Sequence, residues 1–191
     1  METSTWFIIV VLILCIAVAL YLLLLKKSII SGGGDTELVA ILVLKTPLAV
    51  QEMRKKYIKT DDQPPHITLG YLKCNDDELK GILKHVRSIK PNPIVFEEWK
   101  HTKTFIGLMP KNIDEIKRIM GPMEKYVETG PRGGYHMSVA YRPHSAVLDA
   151  SAHKNAHDDI HVPLICPVKE LRIAKKVHNQ DWVKYKSFQF F

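Results

Sequence analysis

From residue 37 onward the chain alternates between short apolar runs and amphipathic stretches. "ELVAILVL" (37–44) is a run of the buried-strand kind, and "PLAVQEMRKKYI", opening at Pro47, has the spacing of a helix. "PPHITLGYL" follows as a strand. "NDDELKGILKHVRSI" (75–89) begins with a cap-like Asn and acidic residues and carries Leu79, Ile82, Leu83 and Val86 on one face, which predicts a helix. "PIVFEEW" and "TKTFIGLM" read as two strands. "NIDEIKRIMGPMEKYV" (112–127) reads as a helix interrupted near Gly121-Pro122, and "YHMSVAY" as a further strand. The polar stretch from Pro143 to Asp159 has Pro163 close behind it and reads as a loop. Two closing strand regions, 160–176 and 181–191, complete the pattern.

Ahead of this lies a segment of another kind. Trp6 to Leu25 is a run of twenty residues without a charge, the length a helix needs to cross the ~30 Å hydrocarbon core of a bilayer. The preceding "METST" has no basic residue, unlike the start of a cleaved signal peptide, and Lys26 and Lys27 flank only the far side. The segment therefore reads as an uncleaved anchor with the N-terminus outside or lumenal and the remainder cytosolic. Two cysteines outside the span, Cys74 and Cys166, do not make a secreted disulfide framework, and no Asn-x-Ser/Thr acceptor occurs. The expected organisation is a tail at 1–5, a transmembrane helix at 6–25, a basic and Gly-rich linker at 26–35, and one domain at 36–191. The chain has 27 Lys plus Arg against 20 Asp plus Glu, a net charge of +7 that suits polyanions, nucleotides or acidic headgroups.

Within the domain one small pattern is written twice. "PHITLGY" (65–71) and "YHMSVAY" (135–141) agree after their histidines as apolar, hydroxyl, apolar, tiny, Tyr. With strict strand alternation His66, Thr68 and Gly70 share one face and Ile67, Leu69 and Tyr71 the other; His136, Ser138 and Ala140 likewise oppose Met137, Val139 and Tyr141. Gly70 and Ala140 then leave room for a ligand beside the polar pair, and both tyrosines fall on the core face. Two imidazoles facing one another can divide acid and base work, one taking a proton from the attacking oxygen while the other gives one to the leaving oxygen. The hydroxyls two residues on can hold phosphoryl oxygens in line. Of nine histidines only these two are followed at that spacing by Ser or Thr in an apolar strand.

On these residues, "HIT" at 66–68 and "HMS" at 136–138, the chain resembles the 2H phosphoesterase superfamily, the LigT-like proteins with two His-x-Thr/Ser motifs. "WKHTKTFIGLMP" is similar to that family's central strand pair, and "VKELRIAKK" with "YKSFQF" to its closing strands. The resemblance implies a bilobal α/β (α+β) fold with pseudo-twofold lobes, here preceded by a single transmembrane helix. It implies catalysis by His66, Thr68, His136 and Ser138 without metal or other cofactor, on phosphodiesters at a ribose 2′ oxygen: 2′-5′ oligoadenylate, 2′,3′-cyclic GMP-AMP or 2′,3′-cyclic phosphates. Ser138 stands where Thr is more usual and keeps the hydroxyl.

Further residues stand near the motifs. Arg132, Arg142 and Lys73 flank them and could reach a phosphate, while Phe105 and Trp99 could stack a base. His153, His157 and His161 are spaced by four, but a solvated loop accounts for them better than a metal site. The expectation is a monomeric, membrane-anchored phosphodiesterase of small nucleotides that does not bind duplex nucleic acid. The alternative is a catalytically weak nucleotide- or RNA-binding module of the same fold at a membrane. With Lys26 and Lys27 on the inner flank, protease added to microsomes whose cytosolic face is outward should digest the C-terminal domain. Protection of that domain would overturn the orientation.

Overall fold

A computed structural model describes residues 38–58, 64–141, 147–176 and 182–190. The expected tail, transmembrane span and linker, together with Arg142, lie outside the described residues; within them no helix is long and apolar enough to cross a membrane. Residues 37–191 form one compact unit. In chain order its elements are β1 (Leu38–Leu44), α1 (Leu48–Tyr57), β2 (His66–Leu72), α2 (Asp76–Val86), β3 (Ile94–His101), β4 (Phe105–Pro110), α3 (Ile113–Met120), a 3-10 turn (Gly121–Tyr126), β5 (Val127–Thr129), β6 (Met137–Tyr141), α4 (Ala150–Asp159), β7 (Leu164–Cys166), β8 (Val168–Lys176) and β9 (Trp182–Gln189).

The strands form one antiparallel nine-stranded sheet in the order β7-β3-β4-β6-β2-β1-β8-β9, with β5 beside β2. This is a mixed α/β fold in two halves, β7-β3-β4-β6 and β2-β1-β8-β9, joined where Ile67 pairs with Met137. One sheet face is the core. Ala40, Leu42, Ile67, Ile106, Leu108, Met137 and Val139 are buried there against Val50 and Met53 of α1, Leu79, Ile82 and Val86 of α2, Ile116 and Ile119 of α3, and Ala152 and Ala156 of α4. The other face of the β2-β1-β8-β9 half carries Val39, Ile41, Val43 and Ala174, with Tyr71 and Trp182 against them.

The halves match in register, including their irregularities. Ile41 pairs with Thr68 and Ala40 with Gly70, so Leu69 is an extra residue; Gly107 pairs with Ser138 and Ile106 with Ala140, so Val139 is its counterpart. The outer strands repeat this. Glu97 is skipped between the Phe96 and Glu98 pairings to β4, and Lys169 between the Val168 and Glu170 pairings to β1. A bulge shifts every later side chain to the opposite face.

That overturns part of the alternation expected from sequence. Beyond Leu69, Gly70 lies opposite Ala40 on the core face, and Tyr71 comes out beside Val39 on the site face, its ring 6.0 Å from that of Trp182. Ala140 likewise pairs with buried Ile106, and Tyr141 with Phe105. Gly70 is small because of β5: a Cβ there would stand 2.9 Å from Val127 Cγ1 and 3.3 Å from the Thr129 carbonyl.

Local chemistry sets the start of two helices. Asn75 caps α2 by accepting from the Asp77 and Glu78 amides, and Glu78 returns the bond to the Asn75 amide, a full capping box. The stretch expected as a loop before residue 160 is instead helical over Ala150–Asp159. Asp149 caps it by accepting from the Ala152 amide at 2.8 Å. It docks through Ala152 and Ala156, so its buried face is made of small residues and gives little apolar signal.

Adding a methyl at Gly70 forces the β5 strand outward, so Gly70→Ala should lower the stability of the full chain by about 1–3 kcal/mol, the range for overpacking. Chemical denaturation measures it, and an unchanged midpoint would rule out the close approach of β5.

Candidate functional site

The antiparallel sense of the Ile67–Met137 bridge brings the two motifs side by side in opposite directions. Both bridge residues are fully buried on the core face. Their neighbours His66, Thr68, His136 and Ser138, all half-buried, therefore share the opposite face, with His66 level with Ser138 and Thr68 level with His136. All four residues expected to carry the chemistry are thus brought together by one backbone contact.

Both imidazoles are held the same way. Nδ1 of His66 lies 2.7 Å from the Pro64 carbonyl, and Nδ1 of His136 lies 2.8 Å from the Gly134 carbonyl, each two residues back. A carbonyl only accepts, so Nδ1 carries the hydrogen in each ring and Nε2 is left as the nitrogen that exchanges protons. Gly133 and Gly134 adopt φ of 76° and 81°, conformations that glycine reaches without strain, and that turn aims the Gly134 carbonyl back at His136. Burial holds His136 below the ordinary imidazole range; the bond to Gly134 opposes this and the Lys100 ammonium adds to it. The shift favours the uncharged imidazole.

Phe105, expected to stack a base, lies beside the motifs, its ring edge-on to His136 at 4.8 Å between centroids. The ring lies over Gly107, where a Cβ would collide with it. Trp99 goes elsewhere. It pairs with Leu108, packs against the core, and lies 5.0 Å from the His157 ring on the helix-covered face. Arg132 is exposed on the turn that leads to His136. Lys73 follows the far end of β2, seven residues or roughly 20 Å of extended strand from His66, and stands 3.8 Å from Glu128.

Two residues not singled out from sequence belong to the site. Arg54, 5% exposed on the buried stripe of α1 with Val50, Met53 and Tyr57, donates through a terminal nitrogen to the Ser138 carbonyl from behind the sheet. A charged residue in line with that apolar stripe was the available signal. Lys100 pairs with Gly107, which pairs with Ser138, so its stem emerges on the site face. Its Nζ donates to the Gly133 carbonyl at 2.8 Å. Tyr71, delivered by the bulge, joins them on that face.

The spaced histidines form a separate group on the core side of β3. His153 and His157, one turn apart on α4, both touch His101: its Nδ1 is 3.2 Å from Nδ1 of His153 and its Nε2 is 3.2 Å from Nε2 of His157. Because His101 turns a different nitrogen to each neighbour, three donors do not converge on a point. Among the described residues no group of three His, Cys, Asp or Glu is arranged to hold a metal ion.

No protein-family model matches this sequence, and no curated protein matches it. Among solved structures the chain is similar to LigT of E. coli. The complex of that protein with ATP shares 11% identity over 81% of this chain and 98% of that one at a TM-score of 0.44. For the complex with 3′-AMP the identity is 10%, covering 81% and 97%, with a TM-score of 0.47. For the apo form the identity is 10%, covering 81% and 96%, with a TM-score of 0.48. The likeness is one of outline, and the chemistry below rests on this chain's own residues.

Replacing Arg54 by Met keeps the apolar stem and removes the donor behind Ser138. Arg54→Met should cost about 1–3 kcal/mol in equilibrium unfolding, the penalty for a buried acceptor left unpaired. No loss of stability would show that the bond to Ser138 is replaced by solvent.

Proposed function

We propose that this protein is a metal-independent phosphodiesterase of the 2H phosphoesterase kind, hydrolysing small nucleotides at a ribose 2′ oxygen from the cytosolic face of a membrane. The observation that carries the reading is the pair of His-x-Thr/Ser triads, related by a local twofold, each imidazole fixed through Nδ1 to the carbonyl two residues back. Two histidines with the same fixed tautomer, on one face of one sheet, have the disposition that general acid and base catalysis needs. A single structural histidine has no need of a matched partner.

In this reading the phosphodiester sits over the β2–β6 join. Thr68 and Ser138 donate their hydroxyls to its non-bridging oxygens, one from each side, and hold it in line. One imidazole takes a proton from water as the new P–O bond forms; the other gives one to the 2′ oxygen as that bond breaks. The Phe105 ring shields His136 from water and offers an apolar edge to sugar or base. The net charge of +7 favours an anionic substrate. Anchorage through residues 6–25 is part of the proposal and rests on the composition of that segment.

Incubating the full chain with 2′-5′ oligoadenylate, 2′,3′-cyclic GMP-AMP and 2′,3′-cyclic mononucleotides tests the substrate class. His66→Ala and His136→Ala should each lower kcat by ~10²- to 10⁴-fold with nucleotide binding largely kept, and the double variant should be little worse than either single. Thr68→Ala and Ser138→Ala should lose less in rate and more in affinity, about 1–3 kcal/mol. Near-normal turnover in either histidine variant would refute the two-histidine mechanism.

A further inference from the structure

The twofold match of the backbone extends to charged residues on the outer strands, and there it fails in an informative way. β3 carries Glu98-Trp99-Lys100, and β8 carries Glu170-Leu171-Arg172, at equivalent register. Lys100 pairs with Gly107, which pairs with Ser138; Arg172 pairs with Ile41, which pairs with Thr68. Each half thus sets one cation two strands away from its own hydroxyl, on the site face.

The two cations are treated differently. Arg172 is neutralised: its Nε donates to Glu170 Oε1 at 2.9 Å, and the Glu170 carboxylate, 2% exposed, also takes bonds from Gln189 at 2.7 Å and Lys184 at 3.3 Å. Burial raises the Glu170 carboxyl, but these donors outweigh it and hold it down at about 2. In the other half Glu98 is exposed and takes no such bond, and Lys100 has no carboxylate partner among the described residues. Its ammonium instead meets the Gly133 carbonyl, one peptide from the Gly134 carbonyl that holds His136.

We infer that Lys100 is a positioning residue that divides the labour of the two histidines: its ammonium, held on the Gly133 carbonyl beside the bond that fixes His136 and facing no carboxylate among the described residues, adds to burial in favouring His136 as the proton acceptor, so His136 is the base and His66 the acid. This rests on the two-histidine reading above. Nε2 of His136 accepts the proton of the attacking water, whose oxygen forms the new bond to phosphorus. The bond from phosphorus to the 2′ oxygen breaks, and that oxygen takes the proton from Nε2 of His66. Solvent then returns a proton to His66 and removes one from His136. The other charged or titratable groups that the described residues present on that face of the elements packed against His136 are Glu98 on β3, His66 and Tyr71 on β2, Tyr141 on β6 and Arg132 on the turn; β4 presents only Phe105 and Met109 there. Burial is the larger influence that lowers His136, and the Lys100 charge adds to it.

Two kinetic measurements on the full chain test the assignment. The first is the pH dependence of kcat/KM for the best nucleotide substrate in the wild type, Lys100→Gln and Lys100→Arg. Loss of the charge should move the acid limb to higher pH, because the base then holds its proton more tightly, and Lys100→Arg should restore the wild-type limb. A limb that stays in place in Lys100→Gln, in a protein whose thermal melt is unchanged, would overturn the role of Lys100 while leaving the two-histidine reading standing. The second uses a p-nitrophenyl phosphodiester, whose leaving group departs without a proton. His66→Ala should lose less than tenfold against this ester, and His136→Ala should lose the full ~10²- to 10⁴-fold. The reverse order would exchange the roles and overturn the inference. A wild type inactive on every phosphodiester would overturn both.

Discussion

One backbone bridge, Ile67 to Met137, joins the halves of the sheet, and the site is measured outward from it. The constraint is one of register. Both side chains are fully buried on the helix-covered face, each adding about 1.5–3 kcal/mol of burial, which holds the strands at that pairing. Because side chains alternate, a slip of one residue in either strand would turn its histidine and hydroxyl into the core and its apolar residues out. The hydrophobic effect acting on Ile67 and Met137 thus keeps four polar side chains on the face where they are useful. Arg54 secures the same register from behind by holding the Ser138 carbonyl.

Much of this was legible in the sequence. The repeated His-apolar-hydroxyl pattern placed His66, Thr68, His136 and Ser138 together on one face because alternation over three residues is robust, and the helices at Leu48–Tyr57 and Asp76–Val86 followed from spacing and from the Asn75 cap. Beyond Thr68 and Ser138 alternation misled. A bulge adds a residue without changing the composition of the strand, so nothing in "LGY" or "VAY" announced that the tyrosines cross to the site face. Trp99 was misplaced because an aromatic residue suits either face of a strand, and its neighbours on α4 were invisible while that helix was read as a loop. Small docking residues, Ala152 and Ala156, hid it. Lys100 could not be chosen from sequence: that it meets no carboxylate among the described residues depends on where Glu98 points.

A scaffold built on a local twofold presents a chemical difficulty. Symmetry supplies two like groups at matched distances, yet proton transfer in opposite directions at one phosphorus needs two unlike ones. Here the backbone keeps the symmetry down to its bulges, and the difference enters through surface chemistry: a buried carboxylate on β8, a solvent-exposed one on β3. Gly107, standing where the other half has Ile41, adds to the difference, since the glycine leaves space for the Phe105 ring to lie over it, edge-on to His136. The strand framework and its decoration answer to separate demands, one geometric and one electrostatic.

The order of strands has a further consequence for how the molecule comes into being. The strands of the half holding Ser138, β3, β4, β6 and β7, fall together in sequence, interrupted by the short β5 that pairs with β2, whereas the half holding Thr68 is assembled mainly from the two extremes of the domain, β1 and β2 with β8 and β9. During synthesis β1 emerges first, with all seven of its residues destined for burial, and its outer edge has no partner until the whole of the other half has been made. An apolar strand with an open edge is what nascent chains most need to conceal. The last strands act as a clasp drawn around a finished insert, so loss of both closing strands, from Val168 onward, would leave β1 uncovered, whereas loss of β9 alone would expose the edge of β8.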